Sequence, residues 1–309
     1  RNVYSAVLTP AYRRVKYHFE ITGGGESVCL FEDGFVKNAE HFPEERMIQR
    51  FIYPWMNRAD IMKVPEWAEN IVWYQIFPDR FCRKNPGEKR HSCREWACQE
   101  DATWKEFYGG DLAGIRSRLA YIADLGVGGI YLNPILWSDS NHRYDTGDYR
   151  KVDPILGTNA DFKKLCAAAA NCGIRIVLDG VFAHTGADSR YFNRFRHYPG
   201  CGASNSHSSV YARWYSFAHY PDDYKSWWDF KDLPAVNAAN PDWRKYMITG
   251  ERSIVKTWLR DGASGWRLDV ADELPDDVLR GMRSAAKETD PDSVLLGEVW
   301  EDAVMKVSY

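Results

Sequence analysis

A chain of 309 residues with 45% hydrophobic content is long enough for one large barrel-sized domain plus a small appendage. Its 40 basic and 43 acidic residues nearly cancel, with no basic stripe to meet nucleic acid and no block of like charge to form a tail. No stretch is apolar for long enough to span a membrane.

Residues 1–63 read as part of a small β domain. Val15 to Ile21 alternates in polarity as a half-buried strand does, Thr22 to Ser27 is a glycine-rich turn, and Val28 to Phe31 is the returning strand. The segment is too short for a full sandwich, and Phe51 to Val64 reads as a linker. From residue 64 onward strands and helices alternate. Strand one covers Ile71 to Phe77, and a helix over Leu112 to Leu125 is entered through Asp111 as N-cap. Gly128 to Leu132 is strand two, Asp161 to Asn171 a helix, and Ile174 to Leu178 strand three. Residues 184–232 form a long insertion rich in Tyr, Trp, His and Gly, of a length usually reserved for function. A helix over Asp242 to Leu259 follows Asn240-Pro241. Ser264 to Leu268 is strand four, Pro275 to Glu288 a helix, and Val294 to Gly297 strand five. Such alternation predicts an α/β fold, a parallel sheet with right-handed crossovers. It counts five strands of a (β/α)8 TIM barrel, which closes with eight. The expectation is a fragment of a longer or split protein.

The seven cysteines show no CxxC pair and no zinc spacing, and an odd number cannot all pair within the chain. They favour a reducing, cytoplasmic compartment. Cys166 and Cys172 fall on a predicted helix and read as small buried hydrophobes, whereas Cys93 and Cys98 lie in a polar loop. Most of the 13 Trp and 18 Tyr must serve packing, although aromatic faces also suit sugar rings.

Three apolar runs stop at acidic residues, at Asp179 in Asp179-Gly180-Val181-Phe182-Ala183-His184, at Asp269 in Gly265-Trp266-Arg267-Leu268-Asp269-Val270 and at Glu298 in Leu296-Gly297-Glu298-Val299-Trp300. Doubly buried parallel strands read as such runs, and catalytic groups of α/β barrels sit where the strands end. Asp269 and Glu298 are therefore expected in one cleft. Arg267, two positions before Asp269, points to the same side and is expected to keep that carboxylate ionised, as a nucleophile needs. Glu298 beside Val299 and Trp300 is expected to have the raised pKa of a general acid. An isolated Arg-x-Asp is more often a structural ion pair, and an isolated Glu a helix cap; the ordered set of motifs is what favours chemistry.

At these residues the chain resembles the α-amylase family of glycoside hydrolases, and within it the neopullulanase and cyclomaltodextrinase branch. Further segments carry the likeness: Val72-Trp73-Tyr74-Gln75-Ile76-Phe77-Pro78-Asp79-Arg80-Phe81, Gly109-Gly110-Asp111-Leu112 and Asn141-His142-Arg143-Tyr144-Asp145-Thr146. The resemblance implies a retaining hydrolase of α-1,4-linked glucans such as maltooligosaccharides, cyclodextrins, starch or pullulan, with some α-1,6 activity. Asp269 would be the nucleophile, Glu298 the acid/base and Arg267 their cationic partner. His142, Tyr144, Asp179, His184 and Glu273 would contact or orient the sugar, while Asp145 braces its loop; Glu273 would lie on the acceptor side, with a charged helix start at Asp272-Glu273 the equally open reading. It further implies that residues 1–63 end an N-terminal β domain; members of the branch often form homodimers through that domain, and its truncation here leaves the oligomeric state of the full-length protein open. A calcium ion, often present in the family, would use an Asn where this chain has Ala183, and Arg83 to Glu88 is poor in carboxylates; the Gly109 carbonyl and Asp111 could still contribute ligands, but no required metal is expected. The family's third acid is expected beyond residue 309. Loss of one such group typically costs ~3–4 kcal/mol of transition-state stabilisation, so the chain alone is expected to be inactive. A non-catalytic, carbohydrate-binding or transporter-associated relative is the competing reading.

Overall fold

The computed structural model describes residues 3–10, 15–32, 34–37, 50–53, 63–84, 103 and 105–300. Cys93, Cys98 and the stretch 85–88 lie outside them. The chain divides into two compact units, 1–63 together with 299–309, and 64–298.

In the smaller unit, β1 (Val15–Tyr17) pairs antiparallel with β5 (Phe51–Tyr53), and β2 (Phe19–Gly23), β3 (Glu26–Phe31) and β4 (Gly34–Lys37) form an antiparallel meander. The single strand expected over Val15 to Ile21 is broken at His18, because its two halves take different partners. The His18 ring stacks on Phe31 at 4.9 Å. Phe51–Tyr53, expected as linker, is a strand; residues 54–62 lie outside the described ones.

The larger unit holds β6 (Val72–Ile76), β7 (Val127–Leu132), the hairpin β8 (Leu136–Trp137) and β9 (Asp148–Val152), β10 (Arg175–Gly180), the hairpin β11 (Phe217–His219) and β12 (Asp223–Tyr224), β13 (Gly265–Leu268) and β14 (Val294–Gly297). Strands β6, β7, β10, β13 and β14 lie side by side in chain order, and every pair is parallel. This is a partial TIM barrel. β13 is buried along its whole length, and β10 from Ile176 onward, so their sequences carry almost no alternation. Gly265 lets β13 approach β14: a Cβ there would stand 2.2 Å from the Val294 carbonyl oxygen.

The helices are α1 (Glu66–Glu69), α2 (Pro78–Phe81), α3 (Leu112–Ser117), α4 (Leu119–Asp124), α5 (Asn159–Asn171), α6 (Pro241–Arg244), α7 (Ile254–Arg260) and α8 (Asp276–Thr289). Asp111 caps α3 by accepting the Gly114 N–H, and Thr158 with Asp161 forms a capping box on α5. Two helices expected as continuous are broken. Arg118 (φ −109°, ψ 7°) separates α3 from α4. Between α6 and α7, a π-helical turn at Lys245–Thr249 ends at Gly250, and Ser253 caps a fresh start. Ile115, Ile122, Phe162, Leu165, Trp258 and Met282 bury their side chains in the core shared by the helices and the sheet. Cys166 joins that core, and burial pushes its thiol up to about 12. Cys172 is exposed at the end of α5, contrary to expectation. Among the described residues, no helix is long and apolar enough to cross a membrane.

Candidate active site

The C-terminal ends of β10, β13 and β14 bring three carboxylates onto one guanidinium. Register pairs Asp179 with Arg267 across β10 and β13. Arg267 Nη1 donates to Asp179 Oδ1 and to Asp269 Oδ1, each at 2.7 Å, and Nη2 lies 2.6 Å from Glu298 Oε1. Asp179 lies inside β10 and not just past it, and its carboxylate is the most buried of the three. Strand ends thus bring Arg267, Asp179, Asp269 and Glu298 together.

One positive charge facing three acids changes the electrostatics. Burial and the neighbouring Asp179 charge push the Asp269 carboxyl up to about 7, and Arg267 only partly offsets them. The expectation that Arg267 alone would keep Asp269 ionised overlooked the sharing of that charge. Asp179 is also raised, by burial, against the pull of Arg267 and the hydrogen bonds it accepts. Burial opposes the Arg267 charge, but the Asp179 carboxylate more than restores it. Glu298 meets a guanidinium on one oxygen and, on the other, the Val270 N–H at 3.0 Å. The apolar surroundings expected for it are replaced by two donors.

Val270 itself is left-handed (φ 40°, ψ 54°). A β-branched residue in that region is a genuine outlier, strained by roughly 1–3 kcal/mol. The kink points the Val270 N–H at Glu298 and starts the turn Ala271–Glu273, so strain in the turn after Asp269 fixes the carboxylate of the next strand.

The loop between β8 and β9 supplies His142 and Tyr144. Arg143 between them is left-handed (φ 62°) and fully buried, with Nε on Asp153 Oδ2 at 2.9 Å and Nη1 on the Asn141 carbonyl at 2.6 Å. That buried pair anchors the loop. Asp145 braces it by accepting from the hydroxyls of Ser138 and Ser140. His142 Nδ1 accepts the Tyr144 N–H at 3.1 Å, so the ring proton belongs on Nε2. Burial lowers the His142 pKa, which keeps the ring neutral. The Tyr144 hydroxyl donates to Asp179 Oδ2 at 2.9 Å, and Tyr131 from β7 donates to the same oxygen at 2.7 Å. Burial and the Asp179 charge raise both phenols, so they stay protonated donors. A relay continues to β6: Asn133 Nδ2 donates to the Tyr144 oxygen, and Gln75 Nε2 to Asn133 Oδ1, both at 2.9 Å.

His184, after β10, is buried and held neutral, its pKa pushed down by burial to about 4. Its Nε2 lies 3.1 Å from the Tyr144 carbonyl oxygen and donates to it, while Nδ1 has no hydrogen-bond partner among the described residues. Glu273 stands apart from the Arg267 cluster, at the end of the turn after Asp269, where the indoles of Trp227 and Trp228 meet it. Sequence reading missed Tyr131, Asn133, Gln75, Asp153 and these two tryptophans. The Gln75 signal was present in the Tyr74-Gln75-Ile76 run; the others carry no local mark.

Of the calcium ligands raised by the resemblance, Ala183 has no side-chain ligand atom, and Asp111 accepts the N–H groups of Gly114 and Lys84, one on each oxygen. Asp79 accepts the Tyr108 and Gly109 N–H groups. Among the described residues no group of three His, Cys, Asp or Glu side chains could hold a metal.

Residues 75–309 match the family described as alpha amylase, catalytic domain, and residues 1–57 match the alpha amylase, N-terminal ig-like domain. A cyclomaltodextrinase of Geobacillus thermopakistaniensis (strain MAS1) is 37% identical over 306 residues, 97% of this chain and 50% of the relative. Neopullulanase 2 of Thermoactinomyces vulgaris is 34% identical over 308 residues, again 97% of this chain and 50% of that protein. A solved cyclomaltodextrinase structure superposes with a TM-score of 0.72 at 31% identity, covering 97% of this chain and 50% of its own. The chain thus spans about half the length of the curated relatives it matches. With its catalytic-domain match running from the first barrel strand onward, the chain belongs to the α-amylase family.

Proposed function

We propose that the full-length protein carrying these residues is a retaining glycoside hydrolase of α-1,4-linked glucans, acting on maltooligosaccharides, cyclodextrins, starch or pullulan. One observation carries the reading: a single guanidinium holds Asp269 and Glu298 through adjacent nitrogens, with Asp179 sharing the nitrogen that meets Asp269. Asp269, ionised in part at neutral pH, attacks the anomeric carbon. Glu298 gives its proton to the leaving glycosidic oxygen, and a covalent glycosyl-Asp269 ester forms. Water then adds to the anomeric carbon and yields a proton to Glu298, and the ester bond to Asp269 breaks. His142 Nε2–H and the Tyr144 ring serve the sugar at the cleavage point, and neutral His184 supports them through the Tyr144 carbonyl. Relatives named cyclomaltodextrinase and neopullulanase support the substrate class. The 309 residues alone are proposed to be inactive, because five strands do not close a barrel.

The competing non-catalytic reading is disfavoured by the joint presence of Asp269, Glu298 and Arg267 in one ion-paired cluster. The test is NMR of the first product released from maltotriose or cyclodextrin by the full-length protein. An α-configured reducing end supports a double displacement; a β-configured product, or no product, overturns it.

A further inference from the structure

The hydrogen-bond ladder between β13 and β14 changes course at Glu298. In a parallel pair, a residue donates to one residue of the neighbouring strand and accepts from the residue two positions further on. Glu298 N–H donates to the Leu268 carbonyl at 3.0 Å, so the regular donor to the Glu298 carbonyl is Val270. Ala271 N–H makes that bond instead, also at 3.0 Å. The left-handed Val270 (φ 40°, ψ 54°) inserts one residue into the path of the chain, and its released N–H turns to the Glu298 side chain, 3.0 Å from Oε2. One-residue insertions of this kind re-aim groups next to active sites. Val270 lacks the backbone freedom of a glycine; its side chain is buried, and the packing around it holds the turn. Gly297 lets the two segments close up, since a Cβ there would stand 3.1 Å from the Ala271 Cβ.

The two carboxylate oxygens of Glu298 therefore meet different donors. Oε1 faces Arg267 Nη2 at 2.6 Å, a cation that keeps its own protons and repels another. Oε2 faces a neutral amide, which occupies one lone pair and leaves one open. An acid proton on Glu298 thus belongs on Oε2. The chain on either side of Asp269 fixes the main chain of Glu298 through Leu268 and Ala271, and the direction of its proton through Val270.

We propose that Val270 is a positioning residue: its main-chain N–H, released from the ladder by the left-handed turn, aims Glu298 Oε2 at the glycosidic oxygen, and so serves proton transfer and not the attack by Asp269. The inference rests on the glycosidase reading above. In the first step the proton on Oε2 passes to the glycosidic oxygen, the bond from that oxygen to the anomeric carbon breaks, and the bond to Asp269 forms. In the second, water bonds to the anomeric carbon, its proton returns to Oε2, and the bond to Asp269 breaks.

The test separates proton transfer from attack. Maltotriose needs the acid, whereas α-maltosyl fluoride forms the glycosyl-Asp269 ester without one, because fluoride leaves unprotonated. In the full-length protein the valine at position 270 is replaced by its α-hydroxy acid, which keeps the side chain and exchanges the N–H for an ester oxygen. The kcat/KM for maltotriose should fall about ten- to hundredfold, the effect of one hydrogen bond to a charged group. The rate of fluoride release in a single turnover should be unchanged. Equal losses on both substrates, or no loss on maltotriose, overturn the proposal. Where the ester-containing chain does not fold, NMR decides: the Val270 amide proton should move upfield in Glu298→Gln, because a neutral acceptor binds it less strongly than a carboxylate, and an unmoved resonance overturns the proposal. A native protein that releases neither sugar nor fluoride overturns the glycosidase reading and this inference with it; contrary results in a native protein active on both substrates overturn this inference alone.

Discussion

Replacing Asp269 with asparagine should stop turnover and, at alkaline pH, make the protein relatively more stable. The folded protein raises this carboxyl from 3.8 to about 7, first by burial and then by the charge of Asp179. That is about three powers of ten in proton affinity, or about 4 kcal/mol at 1.36 kcal/mol per tenfold step. The sign follows from which state holds the proton. Below pH 3.8 both states are protonated and nothing is lost. Between 3.8 and about 7 the folded state keeps a proton that the unfolded state has released, so stability falls as pH rises; above 7 the loss is complete. About 3 kcal/mol of it falls between pH 5 and pH 8. The variant has no proton to lose there. Denaturant melts of the full-length protein and Asp269→Asn at the two pH values give the comparison. The stability difference, variant minus wild type, should grow by about 3 kcal/mol from pH 5 to pH 8. Parallel stability curves would refute the claim that this carboxylate is held against its own burial. The same pKa places the rise of kcat/KM with pH near 7.

Other consequences can be checked singly. Arg267→Leu leaves three clustered carboxylates without their shared cation and should cost about 3–5 kcal/mol in thermal or denaturant melts, beyond abolishing turnover. Asp153→Ala strands the buried Arg143 guanidinium, and a loss of about 3–5 kcal/mol with a raised KM is expected as the His142 loop loosens. Tyr131→Phe removes the 2.7 Å bond to Asp179 and should cost about 1–3 kcal/mol while lowering kcat more than it raises KM.

Strand ends were legible because β10, β13 and β14 are apolar runs that stop at acids, and Arg267 shares a side with Asp269 by simple strand geometry. What a strand end does with its neighbours was not. Arg267 looks like the private partner of Asp269 in the chain, two positions away; only the register with β10 and β14 shows that Asp179 and Glu298 share it. The raised Asp269 carboxyl follows from that sharing. Tyr131 reads as an ordinary residue of β7 and Asn133 as one just past its end, because nothing local marks a phenol that meets a carboxylate 48 positions later. The break at Arg118 and the π-helical turn at Lys245–Thr249 lie within continuous apolar periodicity, so the helices read as unbroken. Trp227 and Glu273 lie 46 positions apart, and the left-handed Trp228 that unites them has no glycine to announce it.

The most direct test of the central claim is mass spectrometry of Glu298→Gln in the full-length protein, incubated with α-glucosyl fluoride. Fluoride leaves without an acid, while the second step lacks its base, so the glycosyl-enzyme should accumulate. One glucosyl group is expected, attached to the peptide that contains Asp269. No adduct, or an adduct on any other residue, would contradict it.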